Sequence, residues 1–369
     1  MEKSFFHEPD YILIWSFIVL IFFGLLMLFT SSSWISLEKA NKSTYYLFHQ
    51  ILYGLLPGVI FSYIFSKISL KFLRGVAVLI FIMALFSLTL IFIPRFSFQA
   101  GGATSWLEIG SFTFQPSEFA KLALIIYLAA LLERKIKEEK IKSFKESLQP
   151  FVIILIPFIV LLFFQPDMGT LGIICLIALL IFFSAGASFL HIFLLILLAI
   201  GVLGIGCLIF PHQAERILTF LNPEEDVLGR SYQVNQSLIA LGSGGIFGRG
   251  FGNGIQKYNY LPQPMGDTIF AVWAEETGFI GSLIIVFLFL LILWRGFIIS
   301  KRASNGFSRL LAVGITSWIE IQAFIHIMAV CGLIPFTGLP LPFISYGGSA
   351  LIFALIGTGI LINISKRTV

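Results

Sequence analysis

The chain has 369 residues, 58% of them hydrophobic and only 12% charged, with 41 phenylalanines. Soluble domains carry about 25% charged residues, so this composition excludes one. The formal charge of +5 comes from basic residues in short stretches between apolar runs, which marks membrane topology and excludes a nucleic-acid patch.

Apolar runs occupy 11–31, 45–65, 73–94, 113–132, 151–165, 169–186, 189–210, 268–294, 311–333 and 344–364. Read as spanning helices, they predict an all-α polytopic membrane protein with ten transmembrane helices. The chain is expected to form one integral membrane domain over 1–369, with a large outer loop at 211–266 between helices 7 and 8. Gln165-Pro166-Asp167 and Ser184–Ser188 are short enough to close helical hairpins. No basic stretch and small-residue cleavage site precede the first run, so it is expected to stay as an anchor.

Sixteen of the 24 basic residues, Lys3 among them, fall on the side that holds the N-terminus. Seven fall on the other side, and Lys121 lies within a span. The excess predicts both termini in the cytoplasm of a cell whose cytoplasmic membrane the chain crosses. Cys175, Cys207 and Cys331 sit in apolar runs without metal or redox spacing and read as small core residues.

Taken in order, the polar features begin with Trp106 and Gln115-Pro116-Ser117-Glu118-Phe119-Ala120-Lys121. Pro116 suits a helix start, and Glu118 and Lys121, three apart, share a face. They can neutralise one another, or Lys121 can face a ligand-filled cavity, since a lysine at that depth is costly in lipid. Asp167 reads as a helix cap ahead of Gly169-Thr170. The outer loop carries a glycine-rich core, Gly242 to Gly254. A phosphate loop is excluded there because no strand precedes it and no Gly-Lys-Ser/Thr closes it. A tight re-entrant loop is expected, with backbone N–H contact to a lipid pyrophosphate as the functional alternative.

Leu261 to Gly278 is the stretch that the rest of the chain is organised around. It places Asp267, Glu275 and Glu276 at the entrance of an apolar run, where each ionised group costs roughly 2.5–3.5 kcal/mol at a helix centre. The run from Asp267 to Trp294 exceeds the roughly 20 residues a span needs, so its first turns are expected to project into an outer cavity. Glu275 and Glu276, two turns further in, must pair or face water. In the ninth run Gln322 and His326 share a face with i,i+4 spacing, and with Glu320 they read as interhelical glue. The prolines and glycines from Pro335 to Gly348, through Ser345, predict a broken segment buried in protein at membrane depth.

Together these motifs resemble the SEDS family, the FtsW/RodA/SpoVE group of shape, elongation, division and sporulation proteins. The resemblance rests on Trp106 with QPSEFAK, QPDMGT, YQVNQSLIALGSGGIFGRG, FGNGIQKYNYLP, DTIFAVWAEETGFIG and GLIPFTGLPLPFISYGGSA. The QKYNYLP form looks closer to the FtsW and sporulation branch. The resemblance implies a peptidoglycan glycosyltransferase that polymerises lipid II, with Asp267 as the essential acid. It carries Lys121 and Glu118 over as membrane-facing site residues; Trp106, Gln115, Arg249, Glu275 and Ser345 complete the candidate substrate contacts. It implies a class B penicillin-binding protein as partner, besides lipid II and membrane lipids. No cofactor is required by the motifs, and a divalent cation, Mg2+ or Mn2+, is the one candidate. Gln263, Gly266, Thr268, Thr104-Ser105 and His326 depart from the family pattern and bear on pocket electrostatics. A lipid II flippase is the alternative reading; a secondary transporter and a non-catalytic scaffold rank below it.

Overall fold

The computed structural model describes residues 7–95, 97–100, 103–109, 112–227 and 229–367. Lys3 and the side chain of Thr104 lie outside the described residues.

The helices run α1 (Tyr11–Ala40), α2 (Tyr45–Gln50), α3 (Leu56–Phe65), α4 (Leu70–Gly75), α5 (Ala77–Leu90), α6 (Pro116–Lys137), α7 (Gln149–Phe164), α8 (Met168–Ser184), α9 (Phe189–Ile209), α10 (Pro211–Leu221), α11 (Tyr232–Gly244), α12 (Ile269–Lys301), α13 (Gly306–Val330) and α14 (Gly348–Ser365). A π turn at Ile51–Leu55 makes α2 and α3 one continuous rod, and a second at Phe144–Leu148 extends α7. Among the described residues, seven helices are long and apolar enough to cross a membrane, and α5 and α8 are shorter apolar helices. The protein is a multi-pass membrane protein.

The centre of the bundle is α13. Of its most apolar window, 83% is buried inside the protein, against 11% for α9, which presents its sides to lipid. Around α13 pack α12, α6, α8 and α14. Small residues let the backbones approach, as lipid-embedded packing requires: Gly314 of α13 lies against Ile125 and Ile181, and Gly296 of α12 lies against Thr316.

Three expectations are corrected. The chain is not purely helical: β1 (Ser97–Ala100), β2 (Ala103–Ile109) and β3 (Phe112–Phe114) form an antiparallel sheet in the order β1-β2-β3 before α6. β1 and β2 lie between the third and fourth apolar runs, in strands too short to carry a clear alternating pattern, and only β3 enters the fourth run. The helix of the fourth run extends past its apolar part to Lys137, because Arg134, Lys135 and Lys137 are good helix formers that complement the C-terminal dipole. The eighth run is not one straight helix. Gly278 (φ 69°, ψ −165°) breaks α12 into 269–277 and 279–301.

Candidate active site

The break in α12 is held by the glycine-rich loop. Backbone N–H groups of Arg249 and Gly250 donate to the carbonyls of Glu275 and Glu276 at 3.0 and 2.9 Å. Those of Phe279 and Ile280 donate back to Gly245 and Ile246 at 2.9 and 3.2 Å. The loop thus completes hydrogen bonds that the interrupted helix has lost, as buried backbone in a membrane protein must. A Cβ at Gly278 would collide with Gly248 N and Ile246 O.

Glu275 and Glu276 are both buried, and both point into this loop. Glu275 accepts from Ile255 N at 2.9 Å and Gln256 N at 3.2 Å. Glu276 accepts from Gly252 N at 3.0 Å and from the buried Lys257 Nζ at 2.6 Å. Glu275 therefore faces backbone donors and not a cavity. The N–H groups of Arg249, Gly250 and Gly252 are likewise taken, so the loop is no open pyrophosphate cradle. Arg249 itself is half-exposed, with Nε donating to Ser243 O at 3.3 Å and 3.8 Å from Glu275 Oε1.

Asp267 stands two residues ahead of Ile269, where α12 begins. Thr268 makes no side-chain cap; its hydroxyl donates instead to Pro262 O and Gln263 O, at 2.8 and 3.2 Å, and folds the Pro262–Gly266 turn. That turn is pinned from its other side. Ser345 Oγ donates to Gly266 O at 2.8 Å, and Tyr346 N donates to Met265 O at 2.8 Å. Ser345 also accepts from Leu341 N at 2.8 Å, so its hydroxyl is occupied and it orients the peptide before Asp267.

The broken segment expected from Pro335 to Gly348 lies in irregular backbone, 331–347, between α13 and α14. Gln322 Nε2 donates to Pro340 O at 2.9 Å, and His326 Nδ1 donates to Leu339 O at 2.7 Å. Gln322 and His326 are glue, as their spacing indicated, and the neighbour they hold is this segment; Glu320, buried on the same helix, makes no hydrogen bond among the described residues. Gln322 Oε1 in turn accepts from Lys121 Nζ at 2.7 Å and Trp318 Nε1 at 3.0 Å. Lys121 also donates to Glu118 Oε1 at 2.7 Å and lies 5.3 Å from the Trp318 ring centroid. Glu118 and Lys121 are both buried and paired with each other, the mutual neutralisation that their spacing allowed. Gln115 starts α6, and its backbone N–H meets Ser349 Oγ at 3.2 Å. Trp106, half-buried on β2 opposite Phe98, belongs to the small sheet.

The cation that faces Asp267, across Gly338 and without a direct ion pair, is Arg216 of α10. Its Nη1 donates to Thr337 O at 3.2 Å. A Cβ placed on Gly338 (φ 69°) would lie 3.5 Å from Arg216 Nη2 and 3.6 Å from Asp267 Oδ2. Asp267 is half-buried, and loss of hydration pushes its carboxyl up to about 6, with Arg216 pulling the other way. Burial draws the Arg216 guanidinium below its usual range, opposed by Asp267 and Asp167. Asp167 accepts from Thr170 N at 3.1 Å, the cap that its position indicated. Arg216 was not among the expected site residues. Its signal was the spacing of Gln213 and Arg216, three apart on one face of a short amphipathic helix that also carries His212, Glu215 and Thr219. Gln213 marks the same face by donating to Pro166 O at 3.2 Å.

A half-buried carboxylate facing a guanidinium at the end of a membrane bundle can exchange a proton beside an anion, and the relatives of this chain place it among membrane-embedded enzymes. The family model described as cell cycle protein, FtsW/RodA/SpoVE, matches residues 11–369, and the chain belongs to that family. Stage V sporulation protein E of Bacillus subtilis is 38% identical over 360 residues, covering 97% of each chain. A probable peptidoglycan glycosyltransferase FtsW of Geobacter sulfurreducens is 37% identical over 358 residues, covering 97% of this chain and 95% of the relative. Among solved structures, a chain of a peptidoglycan synthase complex, studied for its structural coordination of polymerization and crosslinking, superposes with a TM-score of 0.77. It is 28% identical, with 97% of each chain covered. The rod shape determining protein RodA of Thermus thermophilus shares the fold, with a TM-score of 0.71 and 24% identity over 97% of each chain.

Proposed function

We propose that the chain is a peptidoglycan glycosyltransferase that polymerises lipid II, with Asp267 as general base and Arg216 as the cation facing the leaving group. The observation that carries this reading is Asp267 facing Arg216 across Gly338: a half-buried carboxyl pushed up to about 6, with a guanidinium on the far side of the same small space. A base is most effective when its pKa lies near the working pH. Asp267 takes the proton from a sugar hydroxyl, the freed oxygen attacks the anomeric carbon, and the bond to the pyrophosphate breaks. Arg216 meets the charge that develops on that leaving group. As the guanidinium turns to the phosphate, its pull on Asp267 weakens, and the carboxylate becomes a stronger base at the moment it is needed.

In this reading the apolar helices, with α6, make ten spans of a single unit in the bacterial cytoplasmic membrane. Both termini are cytoplasmic, and Asp267 lies on the outer side. Lys121, Glu118, Gln322 and Ser345 act as struts that set the 331–347 segment against Asp267. Among the described residues no three His, Cys, Asp or Glu side chains gather as a donor set. A divalent cation carried on the pyrophosphate would need only one or two carboxylates, and Asp267 is the one this site would offer it; Arg216 is the cation the protein itself supplies to the phosphate. A class B transpeptidase is the proposed partner, supported by the similarity to a chain from a complex that couples polymerization and crosslinking.

The test is polymerisation of fluorescent lipid II by the purified protein, alone and with its partner. Asp267→Asn is expected to lower the rate by about 10²–10⁴-fold; strands formed at the wild-type rate would refute the assignment.

A further inference from the structure

At the end of α12 opposite Asp267 there is a second polar cavity that the proposed chemistry does not use. It is a cleft of about 460 Å³ between residues 7–12, the last turns of α12 and the end of α14. Its floor is fixed. Asp10 Oδ1 caps α1 through Leu13 N at 3.0 Å, and Oδ2 accepts from Arg295 Nε at 2.8 Å and Nη2 at 2.5 Å. Asp10 N donates to Ser365 Oγ at 3.2 Å, and His7 N donates to Lys366 O at 3.0 Å, tying the segment across the end of α14.

Asp10 and Arg295 satisfy each other. Glu8 and Arg302 do not. Both line the cleft, both are exposed, and among the described residues neither side chain makes a hydrogen bond or ion pair. A carboxylate and a guanidinium thus face one space while remaining apart. Beside them the walls turn apolar at Ile12 and Ile298. Trp294, 55% exposed, lies under Arg295 with 5.4 Å from Cζ to the ring centroid. Exposed Tyr11 and Trp294 mark the level where a bilayer meets water.

We propose that this cleft binds the headgroup of a zwitterionic phospholipid carrying a primary ammonium. The phosphate meets Arg302, the ammonium donates to Glu8, and the acyl chains leave along Ile12 and Ile298. The volume falls in the range of small-ligand sites, about 300–1,000 Å³. Charge decides among headgroups. Among the described residues that line the cleft, with Asp10 and Arg295 neutralised, Arg302 and Glu8 are the charges left beside the imidazole of His7, which matches a zwitterion and sets Glu8 against a net anion. A quaternary ammonium has no N–H to give Glu8, so a primary amine is preferred over choline.

The test is native mass spectrometry of the delipidated full-length protein titrated with dioleoyl phosphatidylethanolamine, phosphatidylcholine and phosphatidylglycerol. The ethanolamine lipid is expected to be retained about tenfold more tightly than either competitor. Glu8→Gln should erase the preference over phosphatidylcholine, Arg302→Ala should weaken all three lipids, and Lys301→Ala, outside the cleft, should change nothing. The exchanged pair Glu8→Arg/Arg302→Glu keeps both charges and should restore the preference. Phosphatidylglycerol held as tightly as the ethanolamine lipid, a preference unmoved by both single variants, or no recovery in the exchanged pair would each overturn the proposal.

Discussion

Arg216 and Asp267, 51 residues apart in sequence, face each other across Gly338, each within 3.6 Å of where a side chain there would begin. The guanidinium pulls the carboxyl down while loss of hydration pushes it up to about 6. A base works only when ionised, so the wild-type rate should rise with pH through about 6. Removing the cation in Arg216→Gln removes the downward pull, and the acid limb should move to higher pH. Arg216→Lys should return it part of the way. A limb unmoved in Arg216→Gln would show that the pair is not felt in the reaction.

The same carboxyl makes a stability prediction. Its folded value, about 6, lies above the ordinary 3.8, so between these values the folded state holds the proton more tightly than the unfolded chain. Stability from this group is therefore lost as pH rises through the window. Asp267→Asn should melt at a higher temperature than wild type at pH 8, with the gap closing by pH 4. Thermal scans at the two pH values check it.

Gly338→Ala probes the space between the charges. The backbone there is left-handed, so the methyl should cost about 1–2 kcal/mol of stability. It would also stand where a phosphate oxygen must come to reach Arg216. A fall in kcat/KM of more than about tenfold, larger than the stability loss explains, is expected from steady-state rates measured beside melting curves.

How much of this was legible in the sequence depends on what each feature needs. Apolar runs are local, so the apolar helices could be located, although α1 continues to Ala40 and α12 to Lys301, past the apolar residues that mark them; Asp167 declared its cap through the Gly169-Thr170 that follows. Asp267 could be singled out because an acid beside a membrane run is costly wherever it points. Glu275 was equally conspicuous, but its role depends on a loop about 20–30 residues upstream that folds back onto it. Gly278 looked like any other glycine in an apolar run. Its backbone angle is set by Ile246 and Gly248, which no local pattern connects to it. Arg216 was hidden for a related reason: α10 orients it, and only the packing of α10 on 332–338 shows what it faces.

That docking of the glycine loop on the helix break can be tested by two substitutions of the same type. Gly278→Ala would drive a methyl into Gly248 and Ile246 and should undock the loop. Gly252 also has positive φ (82°), but nothing lies within 4 Å of its Cβ position. Gly252→Ala should therefore cost only the left-handed penalty, about 1–2 kcal/mol. Hydrogen exchange over 245–257 should rise strongly in the first variant and little in the second. Equal protection in both would mean that the break is not what holds the loop.

The strut role of Lys121 separates from a ligand-binding role by a double variant. Lys121→Met alone leaves Glu118 buried without its partner, a loss of about 3–5 kcal/mol. Glu118→Leu/Lys121→Met removes both charges, and replacing a buried pair by apolar groups of similar volume is often neutral or stabilising. The double variant should recover the melting temperature. If the pair acts only by holding Gln322, and through it Pro340, polymerisation should return as well, within about threefold of wild type. A double variant that melts normally and still fails to polymerise would place Lys121 on the substrate.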